Sequence, residues 1–449
     1  MEFGLWFKLK TCWCLFVLAI SAIPCAWVTL CCLIFSLYEP KKAKSGRTIL
    51  VSGGKMTKAL EICRSFKELG HRVILIESED YWFAAPRFST SVDKFILVPE
   101  HKNTGVQTYI DKLSQIIEDE NVDVYVPVAH TVDVMADSML KEQLEGKCFV
   151  WCENVDTTRM LDHKFSFLQK AKDVGLLVPA HFIVNTREEA LEIIKGLNNP
   201  GNFFIKSIAS DPLNRTKLRP IPSSRSEQVE YMKSYNVHPK NQHLIMQFLN
   251  GKEYCTTSIV KDGELLVHTT SPSGPVQLNY EDENIKEIED WVRSFCKSTR
   301  LTGSHSFDFK YHNGNAYPIE CNPRLHSAVV NFYSNRDALV QGYLSAVAKQ
   351  KDSKVTPCQY PHGSAKETFW LYNELMHFFI AAAEGRFHDC KKHIRIICTG
   401  REALFSAKDP IPFFMMHHVQ LPVLLWKALV HKKVYTEIDF NVGKLHWAH

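Results

Sequence analysis

The chain has no long block of one charge. Its 53 Lys and Arg residues against 49 Asp and Glu leave a formal net charge of +4, so the broad basic footprint of a nucleic-acid binder is missing and no polynucleotide partner is implied. Internal repeats and low-complexity tracts are also missing, which excludes a solenoid or a disordered chain. Nor is there the even cysteine studding of a small secreted domain. Five of the 14 cysteines (Cys12, Cys14, Cys25, Cys31 and Cys32) crowd into one N-terminal stretch. Cys148 and Cys152 have no second close pair with which to complete a zinc site. The thiols read as reduced and cytosolic. What remains is a globular composition, 45% hydrophobic and 23% charged over 449 residues, long enough for two or three domains.

The most local absence is of charge between Cys12 and Leu37. This apolar run is long enough to cross a bilayer core of roughly 30 Å, longer than the apolar part of a signal peptide, and followed by no convincing cleavage site. Lys8 and Lys10 precede it; Lys41, Lys42, Lys44 and Arg47 follow. The heavier basic flank lies downstream, which orients the body of the protein toward the cytosol. Pro24 near the middle leaves two forms open, a transmembrane helix or a re-entrant hairpin with both flanks cytosolic. Either makes residues 1–46 a membrane anchor and lipid a partner.

From residue 47 the pattern is that of an α/β protein. TILVS (48–52) reads as a buried strand, followed by Gly53-Gly54, a helix to Leu69, a break at Gly70 and the strand RVILI (72–76). A helix near 106–119 and the strand VDVYVPV complete a third unit, so residues 47–155 predict a Rossmann-like domain with a covered parallel sheet. The glycine pair is not a full G-x-G-x-x-G, which disfavours a dinucleotide site. The turn is either an anion cradle at a helix N-terminus, with Ser52, Gly53 and Lys55 as substrate candidates, or a tight turn that merely needs glycine. Beyond residue 155 short strands dominate: AHFIV, FFIKSI, LIMQFL and KEYCTTSIV. Asp262-Gly263 and Asn313-Gly314 carry the signature of antiparallel hairpins. Between FFIKSI and LIMQFL, the polar stretch Ala209–Ser226 reads as a mobile loop.

The chemistry concentrates in SFDFKYHNGNAYPIECNPRLHSA, residues 306–328. The predicted hairpin sets Asp308 opposite the returning strand, on which Glu320 and Asn322, two apart, share a face. Two carboxylates and an amide suit magnesium, which takes few protein ligands and completes its shell with water and phosphate oxygens. Arg324, two further on, is placed on the same face to clamp a transferring phosphate. Lys206 sits in the apolar strand FFIKSI, a costly position for an ammonium that meets no anion. Lys164 opens a helix, where its charge opposes the macrodipole unless a phosphate is near. MQFLNGKEY (246–254) offers backbone groups to a base and Glu253 to ribose or metal. His326 is either a substrate-orienting group or a histidine packed on the sheet.

Taken in order, these residues resemble the ATP-grasp superfamily over roughly residues 160–330. The resemblance implies an ATP-grasp fold with a small lobe over 156–255, a large lobe over 256–350, a pre-ATP-grasp domain before them and a C-terminal extension over 351–449. It implies that Lys164 and Lys206 bind phosphates, that Gln247, Phe248, Leu249 and Glu253 bind the nucleoside, and that Asp308, Glu320 and Asn322 hold magnesium or manganese. Arg324 and Lys206 would be the catalytic groups. Two positions depart from the pattern: Gln247 stands where many members have an acid, and the lid is not glycine-rich, so Arg215 would replace its backbone amides. ILVSGGKMTKAL, MLDHKFSF, IECNPRLHSA and PFFMMHHVQLPVLLW are similar to mycosporine-glycine synthetases, which join glycine to 4-deoxygadusol. That likeness implies an ATP-dependent C–N ligase acting on a cyclohexenone and glycine. A carboxylate–amine ligase, or a membrane scaffold that binds ATP without turnover, are the other readings. In the tail, the proline-broken run Ile411–Val430, with His417 and His418, reads as interfacial rather than spanning.

Overall fold

The hydrophobic runs of the first half pair in parallel. In a computed structural model of the chain, which describes residues 4–36, 46–128, 134–144, 146–208, 218–274, 278–345, 347 and 357–447, β1 (Thr48–Val51), β2 (Arg72–Ser78), β3 (Lys94–Val98), β4 (Val124–Val126) and β5 (Phe149–Val150) form one sheet in the order β3-β2-β1-β4-β5. All four pairings are parallel. Leu50, Ile74, Ile76 and Tyr125 pack with Ile110, Leu113 and Ile117 from the helix Val106–Asp119. Near-continuous apolar strands are what a sheet covered on both faces requires.

The chain divides into two compact units. One comprises Met1–Cys152, Leu278–Asp282 and Arg324–His449; the other comprises Glu153–Gln277 and Glu283–Pro323. The parallel sheet and the C-terminal extension thus belong to the same unit. What ties the extension to it is charge as well as packing. Helix α2 (Thr57–Glu68) is buried over most of its length and carries Lys58, Glu61 and Arg64 on successive turns. Arg64 Nε donates to Asp409 Oδ2 at 2.9 Å, and the other Asp409 oxygen accepts from the Thr90 N–H at 2.9 Å. Ser89 adds a hydroxyl at 2.7 Å. Glu61 accepts from Arg336 at 2.7 Å and 3.1 Å.

The N-terminal run is a single helix, α1 (Leu5–Ser36), continuous through Pro24. The hairpin alternative therefore has no turn to rest on. α1 is not isolated either. Phe7 packs edge-on to Tyr435 at 5.2 Å, Thr11 meets the Tyr435 hydroxyl at 3.3 Å, Tyr372 donates to Ser21 at 2.9 Å, and His418 Nδ1 lies 3.0 Å from the Leu18 carbonyl. The other stripe is bare: Trp6 is 82% and Trp27 65% exposed.

The second unit holds two antiparallel sheets. The smaller, β6 (His181–Val184), β7 (Phe203–Ser207) and β8 (His243–Gln247), runs in the order β6-β8-β7. Its Ile205 and Ile245 enter a core with Val184, Ala190, Ile194 and Met232. The larger consists of β9 (Lys252–Lys261), β10 (Glu264–Ser273), β11 (Gly303–His312) and β12 (Asn315–Asn322), in the order β10-β9-β11-β12. Both anticipated hairpin turns form with left-handed backbone: φ is 48° and 87° at Asp262-Gly263, and 50° and 75° at Asn313-Gly314. That is the twist-matched turn for which these dipeptides are suited.

The Arg64–Asp409 pair is buried on both sides, so breaking it strands an ion. Asp409→Ala is expected to cost about 3–5 kcal/mol, measured by denaturant unfolding. A loss under 1 kcal/mol on that scale would mean that packing alone holds the extension.

Candidate active site

The β11–β12 hairpin is set by what lies behind it. Phe307 and Phe309 face an aromatic core with Phe167, Trp291 and Phe295. Trp291 stacks on Phe295 at 5.1 Å, and Phe167 meets Phe295 edge-on at 5.4 Å. The helix Lys286–Thr299 supplies two of these rings. Strand alternation then sends Asp308 and Lys310 to the opposite face. Asp308 is the register partner of Glu320, and Ser306 of Asn322. Directly paired residues hold their Cβ atoms roughly 4.5–5.5 Å apart. The three expected ligands therefore share one face. Among the described residues no cluster of three His, Cys, Asp or Glu side chains could hold a metal by itself. Two carboxylates and an amide form a partial hard-oxygen set, which fits an ion that keeps water and phosphate ligands.

The lysines meet these carboxylates. Lys164 Nζ lies 3.4 Å from Glu320 Oε2 and 3.2 Å from the Ile208 carbonyl. It is the first residue of the helix Lys164–Asp173, capped by His163, whose Nδ1 accepts the Ser166 N–H at 3.2 Å. Lys206 lies on the face of β7 opposite Ile205. No hydrogen-bond or ion-pair partner reaches its ammonium among the described residues. Lys206 is lowered to about 8: burial is the largest cause, Lys164 adds to it, and Glu320, Asp308 and Glu253 act in the opposite direction. These charges thus form one electrostatic cluster. A lysine held low by desolvation and facing carboxylates is suited to receive a polyanion together with a cation.

At the hinge, the Gln247 N–H donates to the Ala180 carbonyl at 2.8 Å, and its Oε1 accepts from the Ala180 N–H at 3.1 Å. The side chain of Gln247 only accepts in that bridge, and the donor is its backbone N–H. The Phe248 N–H is taken by the Asn202 carbonyl at 2.6 Å. Leu249 is buried and Phe248 exposed. Glu253 pairs with Lys310 at 2.8 Å, and Lys310 also donates to the Gly251 carbonyl at 3.3 Å. Gly251 is required: a Cβ there would lie 2.2 Å from the Tyr311 carbonyl oxygen.

Several expectations need correction. β12 ends at Asn322, and Arg324 lies beyond it, in the other compact unit. Pro323 lacks an N–H and stops the ladder. Arg324 is therefore not on the strand face. The Gly53-Gly54 turn has little left to offer an anion, because the amides of Ser52, Gly54, Lys55 and Met56 are already taken. The Ser52 N–H goes to the Val126 carbonyl, Gly54 to Ile76 and Met56 to Gly53. Lys55 donates through its N–H (2.8 Å) and its ammonium (3.2 Å) to Glu77, so the protein's own carboxylate sits there. Ser52 Oγ accepts from the Val128 N–H. Gly53, at φ 75°, would place a Cβ 2.7 Å from the Val128 carbonyl oxygen. This is the tight turn that needs glycine. His326 is no proton acceptor near neutral pH: burial, Lys58 and Arg324 push it down to about 3. Its Nδ1 accepts the Ala328 N–H at 3.2 Å and caps the turn Ser327–Ser334. Arg215 and most of the anticipated lid lie outside the described residues.

Lys310 was legible and overlooked, since it follows Asp308 by two on the same strand. Lys58, in the first turn of α2, gives no sequence signal of its own.

No family model matches the sequence, and no curated protein matches it. Solved structures do match in fold. The biotin carboxylase domain of the Hydrogenobacter thermophilus 2-oxoglutarate carboxylase aligns with a TM-score of 0.52 at 17% identity, over 69% of this chain and 71% of that one. For biotin carboxylase from Campylobacter jejuni the values are 0.52, 18%, 69% and 73%. For N5-carboxyaminoimidazole synthetase from Staphylococcus aureus they are 0.51, 14%, 71% and 82%. The fold they share with this chain is the ATP-grasp fold.

Because its folded value lies below the ordinary 10.5, the unfolded chain holds more protons than the folded one between about 8 and 10.5. The contribution of Lys206 therefore makes stability rise with pH across that window. Glu320→Gln is expected to lower its titration further and Lys164→Met to raise it, read from pH-dependent amine labelling of the Lys206 peptide. Unchanged profiles in both variants would show that Lys206 is not coupled to the cluster.

Proposed function

We propose that the chain is an ATP-dependent, magnesium-requiring C–N ligase that activates a small acceptor by phosphorylation and couples it to an amine. The observation that carries this reading is the cluster of Lys164, Lys206, Glu253, Asp308 and Glu320 on adjoining sheets of an ATP-grasp fold. Fold relatives were solved with MgADP and bicarbonate, or with ADP. In this reading Asp308, Glu320 and Asn322 hold the magnesium ion of the nucleotide, which supplies charge neutralisation at the phosphate oxygens. Lys206, which no partner reaches among the described residues, takes phosphate oxygens directly. Lys164 exchanges its contact with Glu320 for phosphate when that carboxylate turns to the ion. Gln247, Phe248, Leu249 and Glu253 line the nucleoside. The acceptor oxygen takes the γ-phosphoryl group, ADP leaves, and the amine displaces phosphate to form the C–N bond. A 4-deoxygadusol-like enol and glycine are the substrates that the sequence resemblance favours. An acceptor carboxylate would use the same groups and yield an amide.

The proposal includes a membrane surface. α1 is about 48 Å long at 1.5 Å per residue, and hydrogen bonds and ring contacts tie Phe7, Thr11, Leu18 and Ser21 to the extension. The remaining turns to Ser36 measure about 22 Å, short of a hydrocarbon core of about 30 Å. A helix occupied along half its length by Tyr435, Tyr372 and His418 suits an in-plane position better than a crossing one. Exposed Met376, Phe379, Ile380, Trp426 and Val430 extend the apolar face. Lys8, Lys10, Lys427, Lys432 and Lys433 are exposed beside it, placed for anionic headgroups.

In an ADP-release assay with glycine, 4-deoxygadusol and a panel of small carboxylates as acceptors, Glu320→Ala is expected to lower acceptor-dependent turnover by about two orders of magnitude or more. Wild-type turnover in the variant removes the metal assignment. Release with carboxylates and none with the enol decides for the amide-forming reading. In the membrane test, the protein is expected to sediment with vesicles containing anionic lipid and to be released by high salt or alkaline carbonate, as an in-plane helix is. Retention through carbonate extraction would restore the spanning helix.

A further inference from the structure

The first turns of α2 carry three buried charges, and two of them have counter-ions. Glu61 has Arg336, and Arg64 has Asp409. Lys58 is the exception. It is 2% exposed, and its ammonium makes one hydrogen bond, to the Leu325 carbonyl at 2.6 Å. Two of its three donors have no protein acceptor among the described residues. The neighbouring carboxylate, Asp439, does not come within ion-pair distance; its oxygens hold His446 Nε2 at 3.1 Å and the Val442 N–H at 3.0 Å. A second cation, Arg324, lies close enough to depress Lys58 further, after burial itself. Burying an ammonium costs several kcal/mol unless it is paired, and among the described residues no carboxylate pairs with Lys58.

The surroundings of Lys58 close into a ring. Arg324 and Lys58 both face His326. Since His326 Nδ1 accepts a backbone N–H, its neutral ring carries the proton on Nε2, as a donor. The His326 ring meets Tyr280 edge-on at 5.5 Å. The Tyr280 hydroxyl accepts from Asn441 Nδ2 at 3.3 Å. Asn441 returns to the start of α2, where its carbonyl accepts the Thr57 N–H at 3.0 Å. Asn441 is 6% exposed, and the other end of its amide, Oδ1, is buried with no partner among the described residues. Turning the amide over would only exchange which end is unpaired. An amide end and an ammonium that lack acceptors or donors among the described residues, both held at the start of α2, call for a ligand with a hydroxyl next to an anionic oxygen.

We propose that Lys58, Arg324, His326 and Asn441 bind the acceptor of the ligase reaction, a small oxygen-rich anion such as an enolate or carboxylate with a neighbouring hydroxyl. The site rests on the ligase reading for its role, and on this ring alone for its existence. The C-terminal extension builds it by laying residues 439–443 over α2, and Gly443 allows the approach, since a Cβ there would meet the Lys55 carbonyl oxygen at 2.4 Å.

The test uses the full chain and inorganic phosphate as the probe, with chloride at matched ionic strength as control. Phosphate is expected to raise the Tm of the wild type in a concentration-dependent way. Lys58→Met is expected to weaken phosphate binding by about 10- to 100-fold, the scale of a lost charged hydrogen bond. It should also raise the phosphate-free Tm, because an unpaired ammonium has been removed. Asn441→Ala should weaken binding to the hydroxyl-bearing anion glycerate more than to phosphate. Lys206→Met is expected to lose MgATP binding and keep the phosphate response. An unchanged phosphate response in Lys58→Met overturns the proposal, as does its loss in Lys206→Met, which would place the anion at the nucleotide cluster. If MgATP fails to bind the wild type while the Lys58-dependent response persists, the ligase reading falls and the anion site stands.

Discussion

The arrangement of the candidate active site depends on one constraint, the cross-strand register of β11 and β12. A slip of one residue would send Asp308 into the aromatic core and Phe307 to the polar face. Two features oppose that slip. Asn313-Gly314 closes the hairpin with left-handed backbone at both positions. Phe307 and Phe309 are fully buried against Phe167, Trp291 and Phe295. Fully burying a large apolar side chain contributes on the order of 1.5–3 kcal/mol, so several rings together fix the alternation far more firmly than the polar groups could. Ligand geometry is thus a by-product of core packing on the opposite face.

The same accounting of buried charge bears on both the nucleotide cluster and the α2 site that we propose. In the second unit the lysines have carboxylates near them, but loosely: Lys164 is 3.4 Å from Glu320, and no partner reaches Lys206 among the described residues. Such a set can be rearranged around a polyanion and its cation without stranding an ion. In the first unit α2 shows the opposite regime, in which Glu61 and Arg64 are fully committed to Arg336 and Asp409. Against that background the single carbonyl bonded to Lys58 marks a function rather than a structural tie. Buried pairs add little net stability on average, but removing half of one is costly. That is why the ionic contacts of the C-terminal extension can define where it docks.

The extension also gives α1 its setting. An apolar helix normally finds no polar partner in lipid. Here Thr11, Ser21 and the Leu18 carbonyl, on one stripe, meet Tyr435, Tyr372 and His418. The His417-His418 pair, odd as a metal signal, has a packing role: His417 stacks on Tyr372 at 4.3 Å, and His418 reaches the α1 backbone.

Much of this was legible in the amino-acid order. Period-two alternation in SFDFKYH and AYPIECN, with Asn-Gly between them, determines a hairpin and puts Asp308, Glu320 and Asn322 on one face. Contiguous apolar strands broken by glycine determine a parallel sheet, and the Cys12–Leu37 run determines an unusually apolar helix. These are local properties, set by backbone geometry and side-chain polarity within a few residues. Other features had no local signature. Pro323 ends β12 before Arg324, and Glu77, at the end of the next strand, fills the place an anion would take at the Gly53 turn. Lys58 acquires meaning only because residues some 270 and 380 positions away surround it. Whether a buried charge is paired depends on what folds over it, and that is a property of long-range packing that no window of sequence contains.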